Sequence, residues 1–256
     1  MTLQADDIRQ INTWLVEAGS AARAALTTAT YNLKQDRTPV STADYAVETY
    51  LAERLQGRFP GHRLVTEETG VMGAASDYLW ALDPIDGTKI FLAGLPTWGI
   101  SLGLLVNGQP AAGFFHMPVT GDLYWAWAEG AFCNGQRLSR VEGQDYHDPL
   151  MFVAVPSNAH EHYRIHYPRL RSFGSTAAHL AWRGRGIALG VITRQGSLWD
   201  LAGGLPLLAQ TGIRIEYLSG RPLDFSALLE GQSTPEPVLA ASLQWFDKLR
   251  KAIHEI

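Results

Sequence analysis

Two carboxylates stand three positions apart in the segment 80–88, whose sequence is WALDPIDGT. This pattern is typical of a buried strand that runs into a tight turn, and Pro84 restricts the backbone there. Such a turn presents Asp83, Asp86 and the Ile85 carbonyl oxygen to one point. Oxygen ligands alone suit a hard cation, and Mg²⁺ is favoured where a substrate adds phosphate oxygens. The segment therefore predicts a metal site, with an Asp-rich surface turn as the alternative.

The same turn has the features of an anion site. Gly87 and Thr88 follow the second aspartate and leave backbone N–H groups exposed for an anion. We therefore expect a metal ion and a phosphate group to bind side by side at this turn.

Acidic residues at other loop ends strengthen this interpretation. Glu67 and Glu68 follow a predicted strand, and Asp200 lies at a predicted helix start. Each has an ordinary explanation, since loop glutamates are usually solvated and an aspartate that caps a helix contributes about 0.5–2 kcal/mol. Asp44 likewise completes a capping box that begins at Ser41. Acidic residues at the ends of three separate loops are nevertheless more typical of one shared cation site than of three unrelated surface positions.

Two helices and a set of strands must position these residues in the first half of the chain. Apolar residues recur at helical spacing across 6–29, with Asp6 as the cap. A second helix starts at Ser41 and is expected to end at Gly57 and Pro60. Extended runs follow at 63–66, 78–82, 97–106, 111–116 and 123–128. Turn sequences separate the last three runs, so we expect two helices against an antiparallel meander.

The order of elements changes after a polar stretch that ends at Pro149. Strands and helices alternate there, which predicts a layered α/β unit. The strands are predicted at 151–155, 187–193 and 213–217, and the helices at 175–183 and 200–210. Pro206 removes a backbone donor from the last helix. We expect that helix to be bent or to start late, with Asp200 still directed at the metals.

Composition and charge exclude several classes of protein. The 256 residues are 46% hydrophobic and 18% charged, which is typical of a folded chain and not of a disordered one. A net charge of −4 without a basic run gives no basis for binding nucleic acid. Cys133 is the only cysteine, so we expect a reducing, cytoplasmic location. The first residues lack the basic and apolar regions of a signal peptide.

One long uncharged stretch is a candidate for a membrane-spanning segment. Residues 90–121 contain no Asp, Glu, Lys or Arg, and they are long enough to span a bilayer. Their many glycines and prolines argue against a single helix in lipid. We interpret the stretch as buried strands and expect no membrane partner.

Six segments together resemble the inositol monophosphatase family of Mg²⁺-dependent, typically lithium-sensitive phosphatases. They are 39–44 (PVSTAD), 66–68 (TEE), 80–88 (WALDPIDGT), 130–135 (GAFCNG), 171–175 (RSFGS) and 199–203 (WDLAG). The segments occur in the family's order and span roughly 34–204, which is most of the chain.

The resemblance implies a site with two or three Mg²⁺ ions. Its ligands would be Glu67, Asp83, Asp86, Asp200 and the main-chain oxygen of Ile85. The backbone of Gly87 and Thr88 would bind the phosphate. Asp44, Glu67 and the Thr88 hydroxyl would position the attacking water, with Asp44 as base or proton relay. Lys34 matches a lysine that the family often has near the metals, although a solvent-exposed helix end explains it equally well.

Substrate contacts are implied at two further places. Gly174, Ser175 and Thr176 would border the alcohol part of the substrate. Many family members carry an acid a few positions before the Trp-Asp pair, where this chain has Thr193 with Arg194 beside it. That departure argues against inositol recognition, because a cation suits a further anionic group, as on a bisphosphorylated sugar or nucleotide. An arginine that points to solvent is the alternative.

The expected fold is a layered α/β (α+β) arrangement, α-β-α-β-α, of the sugar-phosphatase type. We expect an N-terminal α+β part at 1–148 that binds metal and phosphate. A C-terminal α/β part at 149–256 would bind the substrate, with the metals in the cleft between the two parts.

The predicted function is Mg²⁺-dependent hydrolysis of a small phosphate monoester by an activated water. Inositol 1-phosphate is the first candidate, and fructose 1,6-bisphosphate and adenosine 3′,5′-bisphosphate are the alternatives. Family members are often dimeric, so a homodimer is expected. The alternative from another class is a non-catalytic dimeric interaction protein that retains the fold.

Overall fold

The computed structural model describes residues 3–225, 228–229 and 232–256. The helices are α1 (Ala5–Ala25), α2 (Thr42–Arg58), α3 (Thr88–Leu92), α4 (Ala159–His162), α5 (Thr176–Gly184), α6 (Leu198–Ala202), α7 (Leu205–Gln210) and α8 (Leu243–Ala252). The strands of the first half are β1 (Tyr31–Leu33), β2 (Pro39–Ser41), β3 (Arg63–Thr66), β4 (Gly70–Met72), β5 (Tyr78–Asp86), β6 (Gly99–Val106), β7 (Gln109–Met117), β8 (Asp122–Trp127), β9 (Gly130–Cys133) and β10 (Gln136–Arg137). The later strands are β11 (Val153–Ala154), β12 (Tyr163–Ile165), β13 (Leu170–Arg171), β14 (Gly190–Thr193), β15 (Ile213–Tyr217), β16 (Val238–Ser242) and β17 (Ile253–Glu255).

The helices and the two large sheets alternate in layers. The larger sheet has eight strands in the order β10-β9-β8-β7-β6-β5-β3-β4, and the smaller has five in the order β13-β11-β14-β16-β15. Helices α1 and α2 pack on one face of the larger sheet, and α5, α6 and α7 contact its strands from the other side. Helices α5 and α7 also contact the smaller sheet, which α8 covers. This α-β-α-β-α layering confirms the predicted fold class.

The central strands of the larger sheet form the predicted antiparallel meander. Strand β6 pairs with β7, and β7 pairs with β8, in antiparallel register. Asn107 and Gly108 connect β6 to β7 with φ angles of 50° and 72°, a turn that matches the twist of a hairpin. The uncharged stretch 90–121 thus consists mainly of buried strands, as predicted. Within the described residues, we find no helix that has both the length and the apolar composition to cross a bilayer.

Helix α1 differs from its prediction at both ends. It is preceded by Gln4, whose backbone N–H donates to the Asp7 carboxylate at 2.8 Å. Asp6 is exposed and does not cap the helix. The Asp7 side chain also pairs with Arg58 of α2 at 2.6 Å, which joins the two helices. The helix ends at Ala25 and not at residue 29.

The predicted helix at 200–210 consists of two helices. Helix α6 ends at Ala202, and α7 begins at Leu205 after Gly203 and Gly204. Pro206 lies in the first turn of α7. A backbone N–H at this position would have no intrahelical acceptor, so the proline removes no hydrogen bond from α7. The predicted late start is therefore found, since α7 begins one residue before the proline. In a helix that continued from α6, the Pro206 ring would clash with the Ala202 carbonyl, so the proline favours the break at Gly203 and Gly204.

A pair of glycines lets α6 approach the larger sheet closely. Gly103 of β6 and Gly113 of β7 are cross-strand partners. A Cβ at Gly103 would lie 2.4–2.6 Å from Ala202 atoms, and one at Gly113 would lie 2.3 Å from the Gly203 carbonyl oxygen. Most of these atoms are backbone atoms, so side-chain rotation would not relieve the contact. The two glycines therefore set the height of α6, and of Asp200 on it, above the sheet.

The smaller sheet contains elements that no sequence pattern assigned. Strand β16 lies between β14 and β15 and is antiparallel to both.

The two large sheets divide the chain between β10 and β11, near the predicted division after residue 148. However, one buried cluster joins Val65 and Leu105 on one side of this division to Leu180 and Leu208 on the other. The division into parts at 1–148 and 149–256 therefore stays a prediction.

Gly103→Ala should lower the free energy of unfolding by about 1–3 kcal/mol, because the added methyl group overpacks against α6. Urea unfolding measures this change. Gly57→Ala is the matched control, since a Cβ at this α2 position meets nothing within 4 Å. We expect it to raise stability by about 0.5–1 kcal/mol. Wild-type stability in the Gly103→Ala protein would contradict the close packing of α6.

Candidate active site

Strand β5 ends in the turn that carries the first two aspartates. It pairs with β3 in parallel and with β6 in antiparallel register, and its pairing with β6 is irregular between Asp83 and Asp86. Asp83 Oδ1 accepts the Ile85 N–H at 3.0 Å, which curls the backbone around this carboxylate. Asp83 is 2% exposed and Asp86 is 6% exposed. The segment is therefore buried and is not the surface turn considered as the alternative.

Helix α5 holds the Asp86 carboxylate. It accepts hydrogen bonds from the Ser175 hydroxyl and from the backbone N–H groups of Thr176 and Ala177. The Ser175 oxygen in turn accepts the Ala178 N–H at 3.0 Å and so caps the helix. Ser175 is buried, so its hydroxyl is bound to Asp86 and not directed at open solvent. The start of α5 is thereby tied to the end of β5.

Asp200 reaches the same place from α6. It occupies the third position of that helix, and its carboxylate accepts the Ser197 N–H at 2.7 Å. Asp83, Asp86 and Asp200 each offer one oxygen within 4.8 Å of the other two. In the part of the chain that the structure describes, no other group of three or more His, Cys, Asp or Glu side chains is arranged to hold a metal. The His-rich segment 160–166 is not such a group.

Glu67 lies beside this cluster and is paired with a lysine. Lys34 Nζ is 2.8 Å from one carboxylate oxygen of Glu67 and 2.8 Å from one of Glu68. Burial disfavours the charge of Lys34, but these hydrogen bonds raise its pKa overall. Burial raises the pKa of Glu68 to about 7 against the opposing effect of Lys34. Lys34 therefore lies at the site and not at a solvent-exposed helix end.

Buried negative charge dominates the electrostatics of the cluster. Burial raises the pKa of Asp83 well above its usual value, and the charge of Glu67 raises it further. Burial also raises the pKa of Asp86 to about 6 and that of Asp200 to about 8, again with a contribution from neighbouring acids. A divalent cation would compensate this charge and displace the protons. The all-oxygen donor set fits a hard cation such as Mg²⁺.

Asp44 and Thr88 are brought together although 44 positions separate them. Thr88 Oγ1 lies 3.2 Å from Asp44 Oδ1 and 3.2 Å from the Ile85 carbonyl oxygen. The other carboxylate oxygen of Asp44 accepts the backbone N–H and the hydroxyl of Ser41. Asp44 is fully buried, and burial raises its pKa. The capping role predicted for Asp44 thus coexists with a place at the site.

Glu48 is a buried acid at this site that the sequence analysis missed. It lies one helical turn after Asp44 on α2. Its carboxylate accepts the backbone N–H groups of Glu68 and Thr69 and the Thr69 hydroxyl. It therefore shapes the loop that carries Glu67. Two acids four positions apart on one helix share a face, and this spacing was the signal available.

A cleft of about 390 Å³ opens beside Asp200. This volume is in the range of small-molecule sites. The cleft is lined by all of the residues predicted to contact substrate, which are Gly174, Ser175, Thr176, Thr193 and Arg194. Sequence analysis missed other polar residues of its wall, which are Lys89, Ser157, Asn158, His179 and Gln195. Gln195 directly follows the predicted Arg194, whereas the other four lie in separate parts of the chain, so no local pattern marks the five as a group.

Gly87 joins the predicted phosphate segment to this cleft. Its φ is 93°, a conformation that favours glycine, and it precedes the first residue of α3, Thr88. A Cβ at Gly87 would lie 3.1 Å from the Gly174 carbonyl oxygen. The backbone of the phosphate segment and the wall of the cleft are therefore neighbours.

Asp200→Asn should stabilise the metal-free protein at high pH. The folded-state pKa of about 8 lies above the usual value of about 4, so the stability of the protonated acid is lost progressively as the pH rises from about 4 to about 8. Asparagine avoids this loss. Because Asp200 is partly exposed, we expect a gain of only about 1–2 kcal/mol, or roughly 2–8 °C in Tm, at pH 9. Thermal unfolding in a chelator at pH 5 and pH 9 measures it.

The same experiment contains two controls. The difference in Tm between variant and wild type should be smaller at pH 5, which lies near the lower end of this pH range. Added Mg²⁺ should raise the Tm of the wild type at pH 9 and have little effect on Asp200→Asn. A metal-free variant less stable than wild type at pH 9 would contradict the excess of buried negative charge.

Comparison with known proteins places the chain in a family. The model of the inositol monophosphatase family matches residues 5–251. The fructose-1,6-bisphosphatase/inositol-1-monophosphatase of Aquifex aeolicus is 29% identical over 209 residues, which are 77% of this chain and 79% of that protein. The inositol-1-monophosphatase of Bacillus subtilis is 28% identical over 228 residues, 83% of this chain and 85% of its own. A solved Thermotoga maritima IMPase has the same fold, with a TM-score of 0.83 at 23% identity over 96% of both chains. Because the family match covers nearly the whole chain, the protein belongs to the inositol monophosphatase family, a family of phosphatases.

Proposed function

We propose that this protein is a Mg²⁺-dependent phosphatase that hydrolyses a small phosphorylated alcohol. The observation that carries the proposal is the cluster of two buried aspartates, Asp83 and Asp86, with the partly exposed Asp200, beside a cleft of metabolite size. Like charges this close raise one another's pKa values unless a cation compensates them. Oxygen ligands without histidine or cysteine favour Mg²⁺ over a transition metal.

The proposed ligands of two or three Mg²⁺ ions are Glu67, Asp83, Asp86, Asp200 and the Ile85 carbonyl oxygen. When bound, the ions lower the pKa of the attacking water and stabilise the leaving oxygen. Lys34 holds Oε1 of Glu67, so Oε2 is the oxygen that we assign to a metal. The Ser197 N–H fixes the orientation of Asp200, and the α5 backbone fixes that of Asp86.

Thr88 and Asp44 form the proposed path for the proton of the attacking water. Thr88 Oγ1 donates to Asp44 Oδ1, and its lone pairs remain able to accept a hydrogen bond from water. As the water oxygen bonds to phosphorus, its proton moves to Thr88 Oγ1 and the threonine proton moves to Asp44 Oδ1. Ser41 occupies the other Asp44 oxygen, and the raised pKa of Asp44 favours receipt of a proton.

The phosphate and the alcohol occupy neighbouring parts of the site in this proposal. The backbone N–H groups of Gly87 and Thr88 bind the phosphate. Gly174, Ser175 and Thr176 border the alcohol on one side of the cleft, and Thr193 and Arg194 do so on another. Since the Ser175 hydroxyl is bound to Asp86, Ser175 would contribute its backbone and Cβ to this border.

Inositol 1-phosphate is the first substrate to test, because the Bacillus subtilis relative is named for this activity. Fructose 1,6-bisphosphate is the second, since the Aquifex aeolicus relative is named for both activities. Adenosine 3′,5′-bisphosphate is a third candidate, and the cation Arg194 in the cleft wall supports it.

We also propose that the protein is a cytoplasmic homodimer, with a metal-binding part at 1–148 and a substrate-binding part at 149–256. The single cysteine supports the location. The resemblance to a family whose members are often dimeric supports the homodimer. Low positive charge supports a small-molecule substrate over nucleic acid.

Release of phosphate from p-nitrophenyl phosphate tests the proposed function. We expect turnover that depends on added Mg²⁺ and is abolished in Asp86→Asn. Since this change also disturbs the start of α5, Asp200→Asn is the second variant, because an amide oxygen still accepts the Ser197 N–H. Absence of turnover on a broad panel of phosphate esters would favour the non-catalytic interaction protein.

Thr88→Val should lower kcat by about 10²-fold or more, because the variant keeps the shape of the side chain and removes the proton path. Thr88→Ser restores a hydroxyl and should recover most of that loss. Steady-state kinetics with Mg²⁺ at saturation provides the measurement. Equal activity in the valine and serine variants would exclude Thr88 from proton transfer.

A further inference from the structure

A second pocket, of about 290 Å³, lies where β16 passes into α8. The loop 140–143 forms one wall of this pocket, Gly212 forms another, and residues 242–244 form the third. None of these residues lines the cleft beside Asp200. The α8 pocket is therefore distinct from the candidate active site.

The α8 pocket and the active-site cleft lie at opposite ends of one strand of the smaller sheet. Val238 is the first residue of β16, and it pairs with Thr193, which lines the cleft. Ser242 is the last residue of β16, and it lines the α8 pocket. A ligand in the α8 pocket would therefore leave the place of the substrate open.

Ser242 has a polar side chain at this pocket that the fold itself does not use. The residue is 8% exposed, and its Oγ is buried without a hydrogen-bond partner among the described residues. Ser242 precedes α8 directly, yet its side chain accepts no hydrogen bond from the helix. A buried hydroxyl without a partner costs free energy. A polar ligand in the pocket that Ser242 lines would supply that partner.

Helix α8 offers backbone donors at the same place. The first N–H groups of a helix have no intrahelical acceptor, and α8, with ten residues, has no acidic side chain in its first turn. Leu243 and Gln244 of that turn line the pocket. Because the start of a helix also carries the positive end of its dipole, such positions bind anions. The donors of α8 and the Ser242 hydroxyl thus border one pocket.

Arg140 adds a positive charge to the wall. Its guanidinium lies against Gly212, where a Cβ would be 2.7 Å from Nη2. Its Nε is 3.5 Å from the carboxylate of Glu142, which also lines the pocket, and the two side chains are 63% and 78% exposed. Exposed ion pairs are weak. Since the Arg140 Nη groups have no other partner among the described residues, an anion can engage them.

The walls of the pocket are held in place by hydrogen bonds. The Val141 N–H donates to the Thr211 carbonyl oxygen at 2.9 Å, which joins the loop 140–143 to the end of α7. Trp245 Nε1, in the first turn of α8, donates to the Gln144 carbonyl oxygen at 2.7 Å. The loop is thus fixed to two helices. Donors on fixed backbone lose less conformational freedom on binding than donors on a mobile loop.

We propose that the α8 pocket is a second anion site, which binds a phosphate group through the Arg140 guanidinium, the Ser242 hydroxyl and the first N–H groups of α8. A phosphate has enough oxygens to accept hydrogen bonds from all three kinds of donor, and bonds from a cation to such an oxygen are strong. The site needs no metal ion, because its donors belong to the protein. Its ligand binds whether or not the acidic cluster holds Mg²⁺.

Titration of the full chain with inorganic phosphate, followed by NMR of the backbone N–H groups, tests this proposal. A chelator is present, so that no metal ion holds phosphate at the acidic cluster. We expect saturable shifts at Gln244 and Trp245 with a Kd of about 1 mM. The N–H groups of Gly87 and Thr88 report separately on the active site. Shifts confined to those two residues, or no saturable shift at Gln244 and Trp245, would overturn the proposal.

Variants of the two side chains test their contribution. Arg140→Gln should raise the Kd by about fivefold or more, because it removes a charge-assisted contact, and Arg140→Lys should retain part of the affinity. Ser242→Ala should raise the Kd by about threefold or more, and Ser242→Thr, which keeps a hydroxyl, should recover most of that loss. Arg140 is exposed, so its variants keep the test valid if those of Ser242 fail to fold.

Arg164→Gln is the matched control, because Arg164 is an exposed arginine of β12 that does not line the α8 pocket. It makes the same change in net charge as Arg140→Gln and should keep the wild-type Kd. An equal rise of the Kd in both arginine variants would reduce the effect to overall charge and contradict the site. An unchanged Kd in Arg140→Gln would contradict it as well. Hydrolysis of p-nitrophenyl phosphate should be the same in wild type and Arg140→Gln.

Discussion

Mutual repulsion of buried carboxylates is the constraint on which the rest of this structure depends. Asp83, Asp86 and Asp200 offer oxygens within 4.8 Å of one another, where little water screens their charge. Left to themselves, these groups would separate. They stay together because β5 and α6 belong to layers whose apolar contacts are extensive. The folded protein thus accepts an unfavourable interaction at one place and offsets it with burial elsewhere.

The starts of three helices supply the local part of that compensation. Asp44 accepts hydrogen bonds at the start of α2, Asp86 at the start of α5 and Asp200 at the start of α6. The first backbone N–H groups of a helix have no intrahelical partners, so they stabilise a carboxylate without competition. A serine precedes each of these helices. The hydrogen bonds that cap these helices are therefore the same ones that hold the acidic side chains of the site in place.

Local patterns predicted what local forces determine. The strand predictions at 63–66 and 213–217 coincide with β3 and β15, and the capping box at Ser41 is present. The late helix start expected from Pro206 is present, since α7 begins at Leu205, but no local pattern predicted the close approach of α6 to the glycines of β6 and β7. The acidic residues of the site could be named from their motifs. Lys89 and His179 could not, since only the tertiary fold brings them to one cleft.

Reaction chemistry and substrate choice are carried by different kinds of residue in this fold. Asp86 and Asp200 are bound to helix starts, so a change at either disturbs packing as well as charge. Arg194 is different, because its side chain is exposed while Gly196 and Thr234 hold the backbone between it and Asp200. Substitution at Arg194 can therefore alter the charge of the cleft without moving the metal ligands. A fold built in this way can change its substrate at the loop after β14 while the acidic cluster keeps its arrangement.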